Sequence, residues 1–231
     1  TDPYYRHYTP LHWASQLAHA KTVSVVEFLL AEGADAAAAD DFGATPLHMA
    51  CMYGSEEAVV TLLEHGADAN ARDKQGQTPL HYLGTYSALV PIAQALMRHG
   101  ADCGLKDGTE TAPLEWISRH YGWSQQAWAS QGILANFLVN EGVQPNVFTL
   151  IDLDMVDELS ALLNETPEAA NRVNGVGETP LIRATKRGYQ TAVDVLVPLT
   201  DSINHRDQDG WTAMTAAYVM GNWTINRDHS F

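Results

Sequence analysis

The sequence predicts an all-α fold, a row of helix-turn-helix units in a solenoid, because a fixed period of 30–40 residues marks repeat architectures. Three observations carry this. The tetrapeptide Thr-Pro-Leu-His occurs at Thr9–His12, Thr45–His48 and Thr78–His81, with decayed forms at Ala112–Glu115, Thr179–Ile182 and Thr212–Thr215. Successive steps are 36, 33, 34, 67 and 33 residues, so the step of 67 holds two repeats whose middle signature is lost. A second marker, Gly-Ala-Asp, stands at Gly33–Asp35, Gly66–Asp68 and Gly100–Asp102. An apolar run of helical spacing precedes each: Val25–Leu30, Ala58–Leu63 and Ile92–Met97.

The physics of one unit is legible in Asp40–Asn70. Thr45 is a helix-capping residue, and Pro46 suits the first turn, where a missing N–H costs nothing. Leu47 and Ala50 face inward and Gly54 ends a short first helix. A second helix carries Ala58, Val59, Leu62 and Leu63 on one face, with His65 at its C-terminal end and Gly66 as the left-handed residue beyond it. Asp73 and Gly76 mark the turn that leads into the next unit.

Taken in order, the units span about 3–38, 39–71, 72–104, 105–145, 146–174, 175–206 and a half unit at 207–231. The first is three residues longer than the rest around Gln16–Val23. The fourth carries nine extra residues near Arg119–Gln131, with Tyr121, Trp123 and Trp128 close together. The fifth lacks the Thr-Pro signature yet keeps Phe148, Leu150, Ile151, Val156, Leu159, Leu162 and Leu163 at helical spacing. After Gly221 the seventh shows no second apolar helix, which reads as a C-terminal cap with a polar outer face.

The motif Thr-Pro-Leu-His-x-Ala with its Gly-Ala-Asp partner resembles the ankyrin repeat, over essentially all of residues 3–231. The resemblance implies a single ankyrin-repeat domain over residues 1–231, built of L-shaped units. Each unit would have two antiparallel helices and a short projecting hairpin loop, stacked side by side at a helix spacing of about 8–10 Å. It implies hydrogen bonds within and between units for the imidazoles of His12, His48 and His81. Asn70 resembles the turn asparagine that such repeats present to a modifying hydroxylase; the simpler expectation is that its side chain bonds the backbone of its own turn.

Composition narrows the function. The 231 residues hold 13 Lys+Arg against 28 Asp+Glu, a formal charge of −15, which weighs against nucleic acid and anionic membrane as partners. It favours a partner protein with a basic face and an association that weakens as salt rises. No apolar run reaches the roughly 18–20 residues that span a bilayer. Two cysteines, Cys51 and Cys103, make no disulfide framework and point to a reducing, cytoplasmic setting.

Reactive chemistry finds little support. Cys51 and Cys103 lack Cys-x-x-Cys spacing, and neither a Gly-x-Ser-x-Gly elbow nor a phosphate-cradling loop occurs. His205 and Asp207 match His-x-Asp of iron facial triads, but Asp207 already serves as the turn residue of its unit. No catalytic, cofactor or metal residue is therefore expected. The expectation is a non-catalytic protein–protein interaction module, monomeric, of adaptor, inhibitor or immunity type.

The resemblance implies binding through hairpin tips and the exposed face of the first helices. Carried over, those positions are Phe42, Met52 and Tyr53; Lys74, Gln75, Gln77 and Tyr86; Arg119 and His120; Lys186 and Arg187; and Trp211. Phe42, Met52, Tyr53 and Tyr86 would form an apolar strip on neighbouring units. Trp123 and Trp128 of the insertion are either packing against the fifth unit or anchors of an exposed ligand loop. The alternative function is an enzyme or small-molecule binder with a pocket at that insertion.

Overall fold

The computed structural model describes residues 7–17, 20–53, 55–83, 89–119 and 125–219, and every regular element among them is helical. The chain forms two compact units, residues 1–144 and 145–231. In the first, α1 (Pro10–Ser15) pairs with α2 (Ala20–Ala31), α3 (Pro46–Tyr53) with α4 (Glu56–Glu64), and α6 (Pro113–Arg119) with α7 (Gln125–Asn140). Between them a 3-10 turn, Pro79–Tyr82, precedes α5 (Leu89–Arg98). The second unit holds α8 (Val147–Asp152), α9 (Val156–Glu165), a 3-10 turn Pro167–Asn171, α10 (Pro180–Arg187) and α11 (Gln190–Leu196). The last of these runs into a 3-10 turn, Val197–Leu199, and residues 213–219 are again helical.

Two layers result in each unit. Short first helices pack on first helices (α1 on α3, α8 on α10) and second helices on second helices (α2 on α4, α4 on α5, α5 on α7, α9 on α11). The signature leucines Leu11, Leu47, Leu80 and Leu114 are buried, as are Leu62, Leu96 and Leu138 of the second helices. Fully burying one such side chain stabilises the fold by about 1.5–3 kcal/mol. In the second unit Phe148, Ile151, Leu159, Leu163, Leu181 and Leu196 fill the same layer.

The lost fifth signature is Asn146. Its Oδ1 accepts the backbone N–H of Thr149 at 2.9 Å, the capping bond that Thr9 and Thr179 make in their own helices. Asn146 lies 34 residues after Ala112 and 33 before Thr179, so the period never slips. Yet Asn146 follows Gly142 by a step of only 4, where Thr78 follows Gly66 and Ala112 follows Gly100 by a step of 12. The repeat has lost the eight residues of its hairpin, and the nine-residue insertion before it hides the loss.

The third repeat departs too. Its first element is one 3-10 turn that stops at Leu83, whose ψ of 140° is extended.

Candidate functional site: the face of first helices and hairpins

The hairpins are built on one acidic or amide side chain each. The Oδ1 of Asp40 accepts the N–H groups of Phe42 and Ala44, both at 2.8 Å. Asp73, Asp107, Asn174 and Asp207 repeat the pattern two and four residues on. Glycines at positive φ complete four of these turns: Gly43, Gly76, Gly177 and Gly210; in the fourth repeat Glu110 holds the place at φ 60°. Adjacent hairpins are tied sideways, Lys74 N–H to the Phe42 carbonyl at 2.8 Å and Gly108 N–H to the Gln75 carbonyl at 2.7 Å. A Cβ on Gly43 would stand 2.8 Å from the Lys74 nitrogen, so that approach requires glycine.

Three buried histidines lock the hairpins to the helices. In His12, His48 and His81, Nδ1 accepts the N–H of the capping threonine at 3.2, 3.0 and 3.0 Å. Nε2 then has to carry the proton, which it donates to the carbonyl of Ala44, Gln77 or Thr111 in the following repeat. The bonds within and between units implied by the resemblance are all present. Burial lowers the pKa of His48 and His81; the facing carbonyls of Gln77 and Thr111 pull the other way, as do nearby Asp73, Asp40 and Asp107.

Aromatic rings pack on two of these histidines, His12 and His48. Tyr8 stacks on His12 with centroids 5.3 Å apart and meets Trp13 edge-on, and its hydroxyl reaches the Met49 sulfur at 3.4 Å. Tyr82 sits edge-on to His48 at 4.9 Å and donates to Asp73 Oδ2 at 2.8 Å. Trp13, Met49, Tyr82 and Trp116 all occupy one register, the residue after the fourth signature position. Trp13 is 47% exposed, and Tyr82 and Trp116 are half-buried. The sequence reading looked seven and eight residues past each threonine and missed this row; three aromatics at one register were the available signal.

The expected residues distribute unevenly. Phe42 is 42% exposed at its hairpin tip, and Met52 and Tyr53 are half-buried at the end of α3. Lys74 and Gln75 are exposed, with Lys74 Nζ donating to the Asp41 carbonyl at 2.7 Å; Gln77 is half-buried and takes the His48 bond. Tyr86, His120 and Trp123 lie outside the described residues, as do the side chains of Arg119 and Trp128. The pocket expected at the insertion likewise lies outside the described residues. Asn70 bonds forward rather than within its own turn: Nδ2 donates to the Gly100 carbonyl and Oδ1 accepts from Asp102 N–H, both at 2.8 Å. Asn171 makes the same pair of bonds with Leu199 and Asp201.

In the second unit the same face is charged. Lys186 Nζ bridges Glu178 at 2.9 Å and Asp207 at 2.7 Å, and lies 5.6 Å from the centre of the half-buried Trp211 ring. Arg187 Nε donates to Asp152 at 3.0 Å, and Arg183 Nε lies 3.3 Å from Glu178 and 3.6 Å from Asp152. Lys186 and Arg187 were expected to await a partner; both are engaged inside the unit. Burial pushes the carboxyls of Glu178 and Asp207 up, but the bonds to Lys186 together with Arg183 and Asn174 at Glu178, and with the turn N–H groups of Asp209 and Trp211 at Asp207, outweigh it and both pKa values end lowered. His205 and Asp207 serve the fold, His205 Nε2 on the Gly177 carbonyl at 2.9 Å and Asp207 on the turn and Lys186.

No described helix is long and apolar enough to cross a membrane. A family model of ankyrin repeats, in three copies, matches residues 11–107. The chain is similar to the ankyrin repeat and SAM domain-containing protein 6 of Rattus norvegicus, 32% identical over 83 residues, and of Mus musculus, 31% over 83 residues. Each match takes in 36% of this chain and 9% of the relative, so the chain spans a small part of the curated relatives it matches. Among solved structures, the human ASB11 ankyrin repeat domain aligns with a TM-score of 0.62 and 20% identity, covering 91% of this chain and 92% of that one. Residues 11–107 thus match ankyrin repeats, and the chain shares the fold of an ankyrin repeat domain over most of its length.

Proposed function

We propose that the protein is a non-catalytic interaction module whose first unit takes a partner protein on the face of Trp13, Phe42, Met52, Tyr53 and Tyr82. The carrying observation is a row of partly exposed rings seated on a buried hydrogen-bonded frame. Rigid aromatic anchors lose little entropy on binding and dominate interface energies, while the frame beneath keeps them in place. Lys74, Gln75 and Gln77 at the adjoining hairpin supply a polar rim, and Trp211 holds the corresponding hairpin place in the second unit.

The net charge of −15 supports a partner with a basic face and a monomeric, intracellular adaptor, inhibitor or immunity-type role. Affinity capture from the native source, at low and high salt, identifies the partner. The triple change Trp13→Ala, Phe42→Ala, Tyr53→Ala is then expected to weaken its binding at least 100-fold, since hot-spot rings contribute about 2 kcal/mol or more each. Melting should shift by only a few degrees, because none of the three is fully buried. Binding that survives the triple change removes this face from consideration.

A further inference from the structure

Arg183 occupies the register that Trp13, Met49, Tyr82, Trp116 and Leu150 fill in other repeats, so a guanidinium stands where the fold otherwise places an apolar side chain. Its side chain is 18% exposed, and its Nε makes no hydrogen bond despite the carboxylates 3.3 and 3.6 Å away. An arginine carries five N–H donors. None of those of Arg183 is spent in a hydrogen bond among the described residues.

The surrounding charges are layered. Side chains of Asp152, Glu178 and Asp207 are 1, 7 and 2% exposed, whereas Arg183, Lys186 and Arg187 are 18–24% exposed. Six charges cancel in sum, yet solvent meets donors while the acceptors lie beneath. Glu178 is occupied by Lys186 and Asn174, Asp207 by Lys186 and the N–H groups of Asp209 and Trp211, and Asp152 Oδ1 by Arg187. Lys186 has spent two of its three donors, and the Trp211 ring beside it holds the ammonium in place.

We infer that this face of the second unit is a receptor for a carboxylate side chain of an acidic peptide segment, taken up by Arg183 and Lys186 beside Trp211. The planar guanidinium fork matches a carboxylate with two parallel bonds, and it is already ordered by the carboxylates under it. The negative charge of the rest of the chain opposes this only weakly, since charges beyond about 8 Å are screened at physiological ionic strength. The site lies in the second unit, apart from the aromatic row of the first, and stands or falls without it.

The test is a titration of the full 15N-labelled chain with a Glu-rich decapeptide, a Lys-rich decapeptide and inorganic phosphate. The side-chain N–H signals of Arg183 and Trp211 are followed throughout. The Glu-rich peptide is expected to shift both signals saturably, and the Lys-rich peptide neither. Arg183→Leu should abolish the Trp211 response. Arg183→Lys keeps the charge but loses the fork, and should weaken the response about tenfold whether or not the leucine variant folds. No saturable shift at millimolar Glu-rich peptide, an equal response to the Lys-rich peptide, tighter binding of phosphate, or an undiminished response in Arg183→Lys would each overturn the assignment.

Discussion

The Nε2 of His48 lies 3.2 Å from the carbonyl oxygen of Gln77, the residue just ahead of the next repeat's capping threonine. With Thr45 N–H donating to Nδ1 on the other side of the ring, one neutral tautomer bridges two repeats. The same bridge runs from His12 to Ala44 and from His81 to Thr111.

Protonating that ring would aim a second N–H at the N–H of Thr45. Burial has lowered the pKa of His48 and His81 below the ordinary 6.5, so the unfolded chain takes up protons first as pH falls. Their contribution to stability is complete above pH 6.5 and declines as pH drops through the folded-state values. Urea unfolding should give a lower midpoint at pH 5.5 than at pH 7.5. His48→Ala should reduce that pH dependence while lowering stability at pH 7.5 by roughly 1–3 kcal/mol, because the Thr45 N–H and Gln77 carbonyl lose their partner. A midpoint that rises on acidification contradicts the tautomer assignment.

Glu110 adopts φ 60° where Gly43, Gly76, Gly177 and Gly210 adopt 81, 77, 80 and 81° in turns of the same kind. The left-handed region costs a residue with a Cβ about 1–2 kcal/mol, and glycine's freedom in the unfolded chain returns part of that. Its partner Lys106 is 3.7 Å away and both are exposed, so little is lost with the carboxylate. Glu110→Gly is therefore expected to stabilise the protein by about 0.5–1 kcal/mol in chemical denaturation. A loss of stability would show that this hairpin needs the side chain.

Asn70 and Asn171 brace consecutive repeats by the same two bonds, one donated and one accepted. Asn70→Ala should destabilise by about 1 kcal/mol, since the Gly100 carbonyl and Asp102 N–H are near solvent and water can replace the amide. Asn70→Asp keeps the acceptor and loses the donor, and should fall between alanine and the parent chain. Hydrogen exchange at the Asp102 amide reports directly: faster in Asn70→Ala, close to the parent in Asn70→Asp.

Much of the repeat could be read without coordinates because its determinants are local. Thr-Pro-Leu-His caps its own helix, the Asp five residues ahead of the Thr closes its own hairpin, and the apolar spacing of Ala58–Leu63 states which side faces in. Positions that need a neighbour were read less well. Asn70 was assigned to its own turn but bonds the next one, and Lys186 and Arg187 were placed at a partner's disposal but answer carboxylates from adjoining repeats.

The sequence by itself determined the period, the all-helical units, the buried leucines and histidines and the acidic charge, since each depends on chain spacing and residue type alone. Only the tertiary structure decided that Asn146 carries the fifth cap, which exposes the loss of a hairpin behind a compensating insertion, that Trp13 meets Tyr8 edge-on and that Tyr82 meets His48. It likewise decided that Arg183 sits among buried carboxylates without a hydrogen bond. The reason is physical: a count of residues is blind to equal gains and losses, and what a side chain meets is set by the repeat stacked beside it.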